Sequence, residues 1–241
     1  AILSGMNTLW NNFLYEPIYN SLIFIAQHVA FKDVGLAVVI LTVLIRFILM
    51  PLSKKSIVSQ YKMRLLQPKL DAIKAKGLSK EEESKEQFAL YKTEKINPFS
   101  GCLYILIQLP ILFALYFAFM RGVDQPTHLY SFLSTDGLKN MFLGLIDITK
   151  PFLPFAILAG VTQAIQAFLA PKPPETSGTG FQAQFTKSLS MQTKYILPII
   201  IIFISAKLAS AVALYWVITN IFSIVQELYF RKSLNLHPVK S

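Results

Sequence analysis

Long apolar runs, each close to the length of a membrane span, are the feature that most constrains this chain. The hydrocarbon core of a bilayer is about 30 Å thick, and about 20 mostly apolar helical residues cross it. Runs of this kind occupy residues 34–53, 101–120 and 151–170, and two more at 194–207 and 209–230 almost touch. Only 15% of the 241 residues are charged, against roughly 25% in ordinary soluble domains. The sequence therefore predicts an all-α polytopic membrane protein with five transmembrane helices.

The segments between these runs complete the predicted organisation. Within the outer segment 1–33, apolar residues recur at helical spacing but polar ones interrupt them, which favours an amphipathic helix in the interface over a sixth span. Residues 54–96 predict a helical hairpin, because apolar residues follow helical spacing up to Gly77 and Ser79 then begins a capped second helix. The other segments are 121–150, 171–193 and the tail 231–241.

The distribution of Lys and Arg predicts the orientation. Of the 23 such residues, 11 lie in 54–96, and the side that contains this hairpin holds 17 against five on the other side. Because cytoplasmic loops carry the excess of positive charge, the hairpin, the 171–193 loop and the C-terminus are predicted to be cytoplasmic, and the N-terminus outside. The hairpin itself has a net charge of +5. It is either a connector held near anionic lipid or a contact surface for a partner.

Arg46 is the most informative residue, because it interrupts the first apolar run after twelve residues. A charged side chain within a span costs roughly 2.5–3.5 kcal/mol on insertion scales, so such residues usually face a polar cavity and serve a function. Snorkelling to the headgroups is the alternative, since Arg46 lies only about 10 Å from the inner end of the span at Ser53.

Polar residues at a similar depth favour the cavity. Each alone is more often an interhelical hydrogen-bond partner than a ligand group, but together they gather in the inner leaflet, while the outer halves of the spans are apolar. The sequence therefore predicts a hydrophilic, positively charged groove that is open to the cytoplasm and sealed on the outer side. Its predicted polar residues are Thr42, Gln108, Gln163, Gln166, Asn220 and Gln226.

Several function classes lack the residues that they need. No Asp or Glu lies deep in a span, where an ion-coupled transporter would carry one. The single cysteine, Cys102, and three scattered histidines predict no metal site, and no nucleotide-binding or catalytic motif is present. We therefore expect no enzyme, no cofactor and no specific nucleic-acid partner. A small-solute channel or transporter and a non-catalytic membrane assembly factor stay open as alternatives.

Four stretches carry a resemblance to a known family. They read GLAVVILTVLIRFILMPLSKKS, KMRLLQPKL, ALYKTEKINPFSGCLYILIQLPILFALYF and ALYWVITNIFSIVQ, in this order along the chain. Together they resemble the YidC family of membrane protein insertases, and the similarity extends over nearly the whole chain. The resemblance implies a five-span core, an outer amphipathic helix and a cytoplasmic hairpin.

The resemblance also implies a site. Arg46 corresponds to the single arginine of the family's groove, and Gln108 and Thr42 correspond to its polar neighbours. A substrate-sliding face is implied along the second and fifth spans, at Leu109, Leu112, Tyr215 and Trp216.

The implied function is that of an insertase and chaperone in the bacterial cytoplasmic (inner) membrane. Nascent single- or double-spanning proteins would bring a polar part into the groove and release their apolar segments into the lipid, alone or with the Sec translocon. The resemblance assigns weak ribosome contact to the 54–96 hairpin and the 171–190 loop, and membrane lipid is a further implied partner.

Overall fold

The computed structural model describes residues 10–96, 100–120, 128–170, 188 and 191–234 of the chain. Within them the fold is mainly helical, as predicted. The helices are α1 (Glu16–His28), α2 (Val34–Ile48), α3 (Met50–Leu65), α4 (Gln67–Ala75), α5 (Lys80–Thr93), α6 (Ser100–Met120), α7 (Leu153–Leu169), α8 (Leu197–Ser205) and α9 (Ser210–Ser233). Short π-helical turns precede α1 at Asn11–Tyr15 and α8 at Gln192–Ile196, and two short strands are β1 (Met141–Phe142) and β2 (Ile146–Asp147).

Helix α1 lies where the sequence predicts an amphipathic helix, and one of its faces is buried. Its apolar side chains, Leu22 and Ile23 among them, belong to the main core and pack towards α2 and α6. Asn20, which interrupts the apolar pattern, is buried as well. Its amide nitrogen donates to the carbonyl oxygen of His128 and its amide oxygen accepts from the N–H of Tyr130, both at 2.8 Å. This polar residue therefore anchors the outer segment, while the interfacial position of α1 stays a prediction.

The helix predicted over residues 34–53 ends earlier than expected. Asp33 caps α2, since its Oδ1 accepts a hydrogen bond from the N–H of Leu36 at 2.8 Å. Helix α2 then stops at Ile48, and α3 continues from Met50 at a bend of 60°. Pro51 lies in the first turn of α3, where its missing N–H needs no helical partner. The run 34–53 therefore comprises α2 and the first residues of α3, and its role as a transmembrane helix stays a prediction.

The hairpin region 54–96 is helical, but its first arm is divided. Helix α3 ends at Leu65, and Pro68 lies in the first turn of α4. Gly77, which follows α4, has a φ of +65°, in the left-handed region that glycine adopts without strain. Ser79 and Glu82 form the predicted capping box of α5, with the Ser79 hydroxyl accepting from the N–H of Glu82 and the Glu82 carboxylate from the N–H of Ser79. A small apolar cluster of Leu66, Leu70 and Ile96 lies between the arms.

Helix α9 is central to the C-terminal half, because it packs along both α7 and α2. Helix α7 in turn lies close to α8, since a Cβ added at Gly160 would come within 2.2 Å of Ile202 Cγ1. The helices differ from the predicted runs mainly at their ends. Helix α9 extends beyond residue 230 to Ser233, and α8 is regular only from Leu197 to Ser205.

Length and apolar composition qualify one helix in the described part of the chain, Ser210–Ser233, to cross a membrane by itself. The bent pair Val34–Ile48 and Met50–Leu65 qualifies when it is taken together, and shorter apolar helices cover Gln108–Met120, Leu153–Leu169 and Gln192–Ser205. The predicted arrangement of five spans, with its boundaries and orientation, therefore stays a prediction.

A small antiparallel ribbon formed by β1 and β2 was not predicted. Phe142 of β1 pairs with Ile146 of β2, and β1 lies so close to α2 that a Cβ at Gly35 would meet Phe142 Cβ at 2.6 Å. The chain after the ribbon also holds the start of α9, because the N–H of Ser210 donates to the carbonyl oxygen of Lys150 at 2.9 Å. Residues 141–150 thus contact the starts of both α2 and α9.

Candidate functional site

Arg46 lies in the last turn of α2, and its side chain is only 2% exposed. Thr42 is one turn earlier on the same side of the helix and is 1% exposed. The Thr42 hydroxyl donates to the carbonyl oxygen of Val38 at 2.6 Å, so its own polar group is satisfied within the helix. The sequence places both residues on one helical side, and the structure buries that side.

Arg46 belongs to a network of three side chains from three helices. Arg46 Nη2 donates to Gln108 Oε1 of α6 at 3.0 Å. The amide nitrogen of Gln108 in turn donates to the hydroxyl oxygen of Tyr215 on α9. We call Arg46, Gln108 and Tyr215 the arginine network. A buried charge is costly unless polar partners replace its water, and these two side chains provide part of that replacement.

Burial differs among the members of the arginine network, and the predicted open groove around Arg46 stays a prediction. The guanidinium and the Tyr215 side chain are buried, whereas Gln108 is partly exposed. Gln108 is therefore the most exposed member of the arginine network.

A second polar cluster joins α7 to α9. Trp216 Nε1 donates to Gln163 Oε1 at 3.2 Å, and Gln163 Nε2 donates to Gln166 Oε1 at 3.1 Å. Asn220, one turn further along α9, donates to the hydroxyl oxygen of Thr162 at 3.2 Å. We call these residues the glutamine cluster. They fill the α7–α9 contact, where such amides commonly hold helices together.

Four of the six predicted polar groove residues, Gln108, Gln163, Gln166 and Asn220, therefore belong to two networks on different sides of α9. Tyr215 belongs to the main core and to the arginine network, while the adjacent Trp216 faces the glutamine cluster. Successive residues of an α-helix point about 100° apart, so such a pair cannot share one face. On α6, Leu109 is 42% exposed and Leu112 is partly buried against the main core. A role for these four residues as a sliding face stays a prediction.

A partly open cavity of about 120 Å³, lined by both polar and apolar residues, lies nearer the predicted cytoplasmic ends of the helices. Of the predicted groove residues, it includes Gln166 and Gln226, but neither Arg46 nor Gln108. Its walls come from the first half of α3, the end of α7 and the last part of α9. The lining residues are Ser53, Ser56, Ile57, Gln60, Gln166, Leu169, Ala170, Ser223, Ile224, Gln226 and Glu227.

A cluster beside this cavity was missed by the sequence analysis. The Tyr61 hydroxyl donates to Glu227 Oε1 at 2.9 Å and accepts from Nε of Arg231. Burial is the main cause that raises the pKa of Tyr61 above its ordinary value. The spacing of Glu227 and Arg231 is that of an i, i+4 ion pair, but no local pattern connects Tyr61 to them. Among the described residues, no group of three or more His, Cys, Asp or Glu is placed to hold a metal ion.

Comparison with known proteins gives the family. A family model described as the 60Kd inner membrane protein matches residues 24–237. The membrane protein insertase YidC of Ectopseudomonas mendocina (strain ymp) is 35% identical over 227 residues, which cover 94% of this chain and 35% of that protein. The YidC of Pseudomonas fluorescens (strain SBW25) is 33% identical over 236 residues, covering 97% of this chain and 37% of that protein.

A solved structure supports the fold. The crystal structure of an active YidC insertase with its first transmembrane domain resolved matches with a TM-score of 0.56 and 23% identity, over 88% of this chain and 45% of that one. The chain spans about a third of the length of the curated relatives it matches. Their names describe insertases, in agreement with the prediction of a function that is not enzymatic. From the family match and these relatives, the chain belongs to the 60Kd inner membrane protein family, which includes the YidC membrane protein insertases.

Proposed function

We propose that this chain is a membrane protein insertase and chaperone of the bacterial inner membrane, with its N-terminus outside and its C-terminus in the cytoplasm. It takes nascent single- or double-spanning proteins into the polar region between its helices and releases their apolar segments into the bilayer. The observation that carries this proposal is the buried cation of Arg46, which donates a hydrogen bond to the partly exposed amide of Gln108 on another helix. Membership of the family supplies the class of activity.

The physical task is to bring a polar chain end across hydrocarbon, where each unsatisfied polar group costs several kcal/mol. A fixed positive charge inside the bundle attracts the acidic residues of such a segment, and the attraction is strong because little water screens it. Since Gln108 covers the guanidinium, an acidic side chain reaches Arg46 by displacing the Gln108 oxygen. Arg46 would then exchange a neutral hydrogen-bond acceptor for a carboxylate.

Release of the apolar segment follows the surface of α6. Leu109 follows Gln108 directly and is substantially exposed, and Leu112 lies one turn further on. Tyr215 is buried between α6 and α9, so a segment that slides along Leu109, Leu112 and Tyr215 must part these two helices. Trp216 faces α7, so the segment meets it only on the other side of α9. Burial of the apolar segment in lipid supplies the free energy, at about 25 cal/mol per Å² of apolar surface.

The proposed partners are nascent membrane proteins, membrane lipid, the Sec translocon and the ribosome. The 54–96 hairpin offers the ribosome and anionic lipid a basic surface with a net charge of +5. The second proposed contact, the 171–190 loop, lies almost entirely outside the described residues.

The test is insertion into liposomes that contain only the purified chain. A small client is synthesised in two forms, one with acidic residues in its translocated tail and one with the matching amides, and insertion is scored by protease protection. We expect Arg46→Met to reduce insertion of the acidic client more than that of the amide client, and Arg46→Lys to retain most of it. The same variants are checked for wild-type thermal unfolding, because a folding defect would reduce insertion of both clients equally.

Three outcomes contradict this proposal in different ways. Equal loss for both clients removes the electrostatic role of Arg46 and leaves it a structural one. No loss with Arg46→Met, combined with loss after deletion of the hairpin, favours the assembly factor. Leakage of small solutes through liposomes that carry the chain, without insertion, favours a channel.

A further inference from the structure

The ribbon of β1 and β2 ends in a turn formed by Leu143, Gly144 and Leu145, which we call the ribbon tip. Leu143 is 60% exposed and Leu145 is 81% exposed. Leu143 also has a φ of +53°, in the left-handed region that a residue with a Cβ adopts only at a cost. Glycine and asparagine are the usual residues at such a position of a turn in water. Two exposed leucines in this turn therefore indicate apolar surroundings.

Two contacts hold the ribbon tip in place. The N–H of Gly144 donates to Asp33 Oδ2 at the start of α2, at 3.3 Å. Phe142, which precedes the tip, packs against Phe155 in the first turn of α7, with ring centres 5.8 Å apart. The two leucines are thus presented from a position that is held by the starts of two helices.

The other end of the ribbon is polar. Asp147 of β2 lies opposite Met141 of β1, and its carboxylate forms an ion pair with Lys150 at 2.9 Å. The Thr149 hydroxyl donates to the same carboxylate at 2.6 Å. The ribbon therefore has an apolar tip and a charged base. Segments at a membrane surface have this pattern, because apolar side chains enter the acyl region while charged ones stay in water.

The helix that the ribbon contacts has an exposed apolar flank. One side of α7 packs against α8 and α9, while another side carries large apolar residues that are 44–58% exposed. They recur at helical spacing and are Leu153, Ile157, Val161, Ile165 and Phe168. In a member of an inner membrane protein family, such a flank suits the acyl chains of lipid.

This flank is shorter than the acyl region of a bilayer. From Leu153 to Phe168 the helix rises about 22 Å at 1.5 Å per residue, whereas the hydrocarbon core is about 30 Å thick. In the proposed orientation α7 begins at the outer face, and Phe155 in its first turn contacts the ribbon. The ribbon tip therefore extends the apolar surface at the outer end of α7.

We propose that the ribbon tip inserts into the outer leaflet of the membrane, where Leu143 and Leu145 contact phospholipid acyl chains. Lipid is the occupant because the tip extends the α7 flank, and because the ribbon changes from apolar to charged as a bilayer does from acyl chains to headgroups. Since residues 141–150 contact the starts of α2, α7 and α9, this anchor sets the depth of these helices in the bilayer. The inference rests on the orientation given with the proposed function.

The first experiment measures what surrounds the tip. An environment-sensitive fluorescent probe is attached to Leu145→Cys in a Cys102→Ser chain, which lacks the single native cysteine, and the chain is reconstituted alone in liposomes. Quenching is measured with nitroxides on the lipid acyl chains and with iodide on both sides of the membrane. Ile157→Cys on the α7 flank is the lipid control, and Phe88→Cys, at an exposed position of α5, is the water control.

We expect the probe at position 145 to resemble the probe at 157. Acyl-chain nitroxides should quench it severalfold more than the probe at position 88, and iodide should quench it severalfold less. These positions are exposed in the folded chain, so the probe displaces no core residue.

The second experiment changes the tip beside the probe. Leu143→Ser should reduce quenching by acyl-chain nitroxides at position 145 about twofold or more, because one of the two apolar side chains that anchor the tip is lost. Leu143→Met keeps an apolar side chain of similar size and should leave the quenching unchanged. Both variants are checked for wild-type circular dichroism.

Quenching at position 145 that matches position 88 would overturn the inference. Protection from iodide without quenching by acyl-chain nitroxides would overturn it too, because protein would then cover the tip; if a second copy of the chain is the cover, a tenfold higher lipid-to-protein ratio removes the protection. Equal quenching in Leu143→Ser and Leu143→Met would overturn the role of Leu143. No client is present in these measurements, so their results are separate from failure of the proposed function, which is read from insertion by the wild-type chain.

Discussion

The hydrogen bond between Arg46 and Gln108 should carry a measurable coupling energy. Arg46 Nη2 and Gln108 Oε1 are 3.0 Å apart, and the arginine is 2% exposed. Replacing Gln108 with Leu leaves a buried guanidinium with one partner fewer, while replacing Arg46 with Met removes the charge itself. A double-mutant cycle with Arg46→Met and Gln108→Leu isolates the energy that the pair shares.

Two ranges bound the expected magnitude. Hydrogen bonds to charged groups contribute about 1.5–3 kcal/mol, whereas interhelical hydrogen bonds in a membrane protein average about 0.6 kcal/mol and reach about 1.7. Burial of Arg46 favours the upper values, because water cannot replace the lost partner. The partial exposure of Gln108 lowers the expected coupling energy. We therefore expect a coupling energy of about 1.5 kcal/mol, where the two ranges overlap.

The assay is equilibrium unfolding of the purified chain in mixed micelles, followed by tryptophan fluorescence. The double variant should be less destabilised than the sum of the single variants by the coupling energy. A control cycle pairs Arg46→Met with Gln166→Leu, which lies in the glutamine cluster, and should be additive within about 0.5 kcal/mol. A main cycle that is additive within the same limit would refute the reasoning that this hydrogen bond stabilises the buried charge.

Two further predictions concern Gly35 and Asp147, which lie at the ribbon of β1 and β2. Gly35→Ala should destabilise the protein by up to about 2 kcal/mol in the same unfolding assay, because overpacking costs about 1–3 kcal/mol and the gain in helix propensity offsets about 1 kcal/mol of it. The new Cβ would lie 2.8 Å from the Met141 carbonyl oxygen, and a stabilised variant would contradict the close packing of β1 on α2. A hydrogen bond from the Thr149 side chain, with help from Lys150, lowers the pKa of Asp147 below its ordinary 3.8. The Asp147 carboxylate therefore stabilises the fold at pH values above its ordinary pKa, and this stabilisation is lost as the pH falls through the lowered pKa. The difference in thermal midpoint between wild type and Asp147→Asn should accordingly shrink between pH 6 and pH 3. A constant difference would contradict this role.

The sequence by itself determined the local features of this protein. Apolar runs predict the helices because every backbone polar group in hydrocarbon must find its partner within the helix. Ser79 and Glu82 predict their capping box because its contacts lie three residues apart. Arg46 stands out as a charge in an apolar run, and the period of the α-helix places Thr42 on the same side of that helix. The four motif stretches identified the family, and the comparisons confirmed it.

Only the tertiary structure decided which polar groups meet. Gln108 contacts Arg46 across 62 positions of the chain, and Tyr61 contacts Glu227 across 166. Periodicity in the sequence predicts which residues share one side of a helix, but it does not predict which other helix packs against that side. The same limit explains why the sequence could not separate Gln108, in the arginine network, from Gln163, Gln166 and Asn220, in the glutamine cluster on another side of α9. The bend at Ile48 and the close contact at Gly35 likewise depend on how helices pack, because side-chain shape at each contact sets the angle and distance between neighbouring helices.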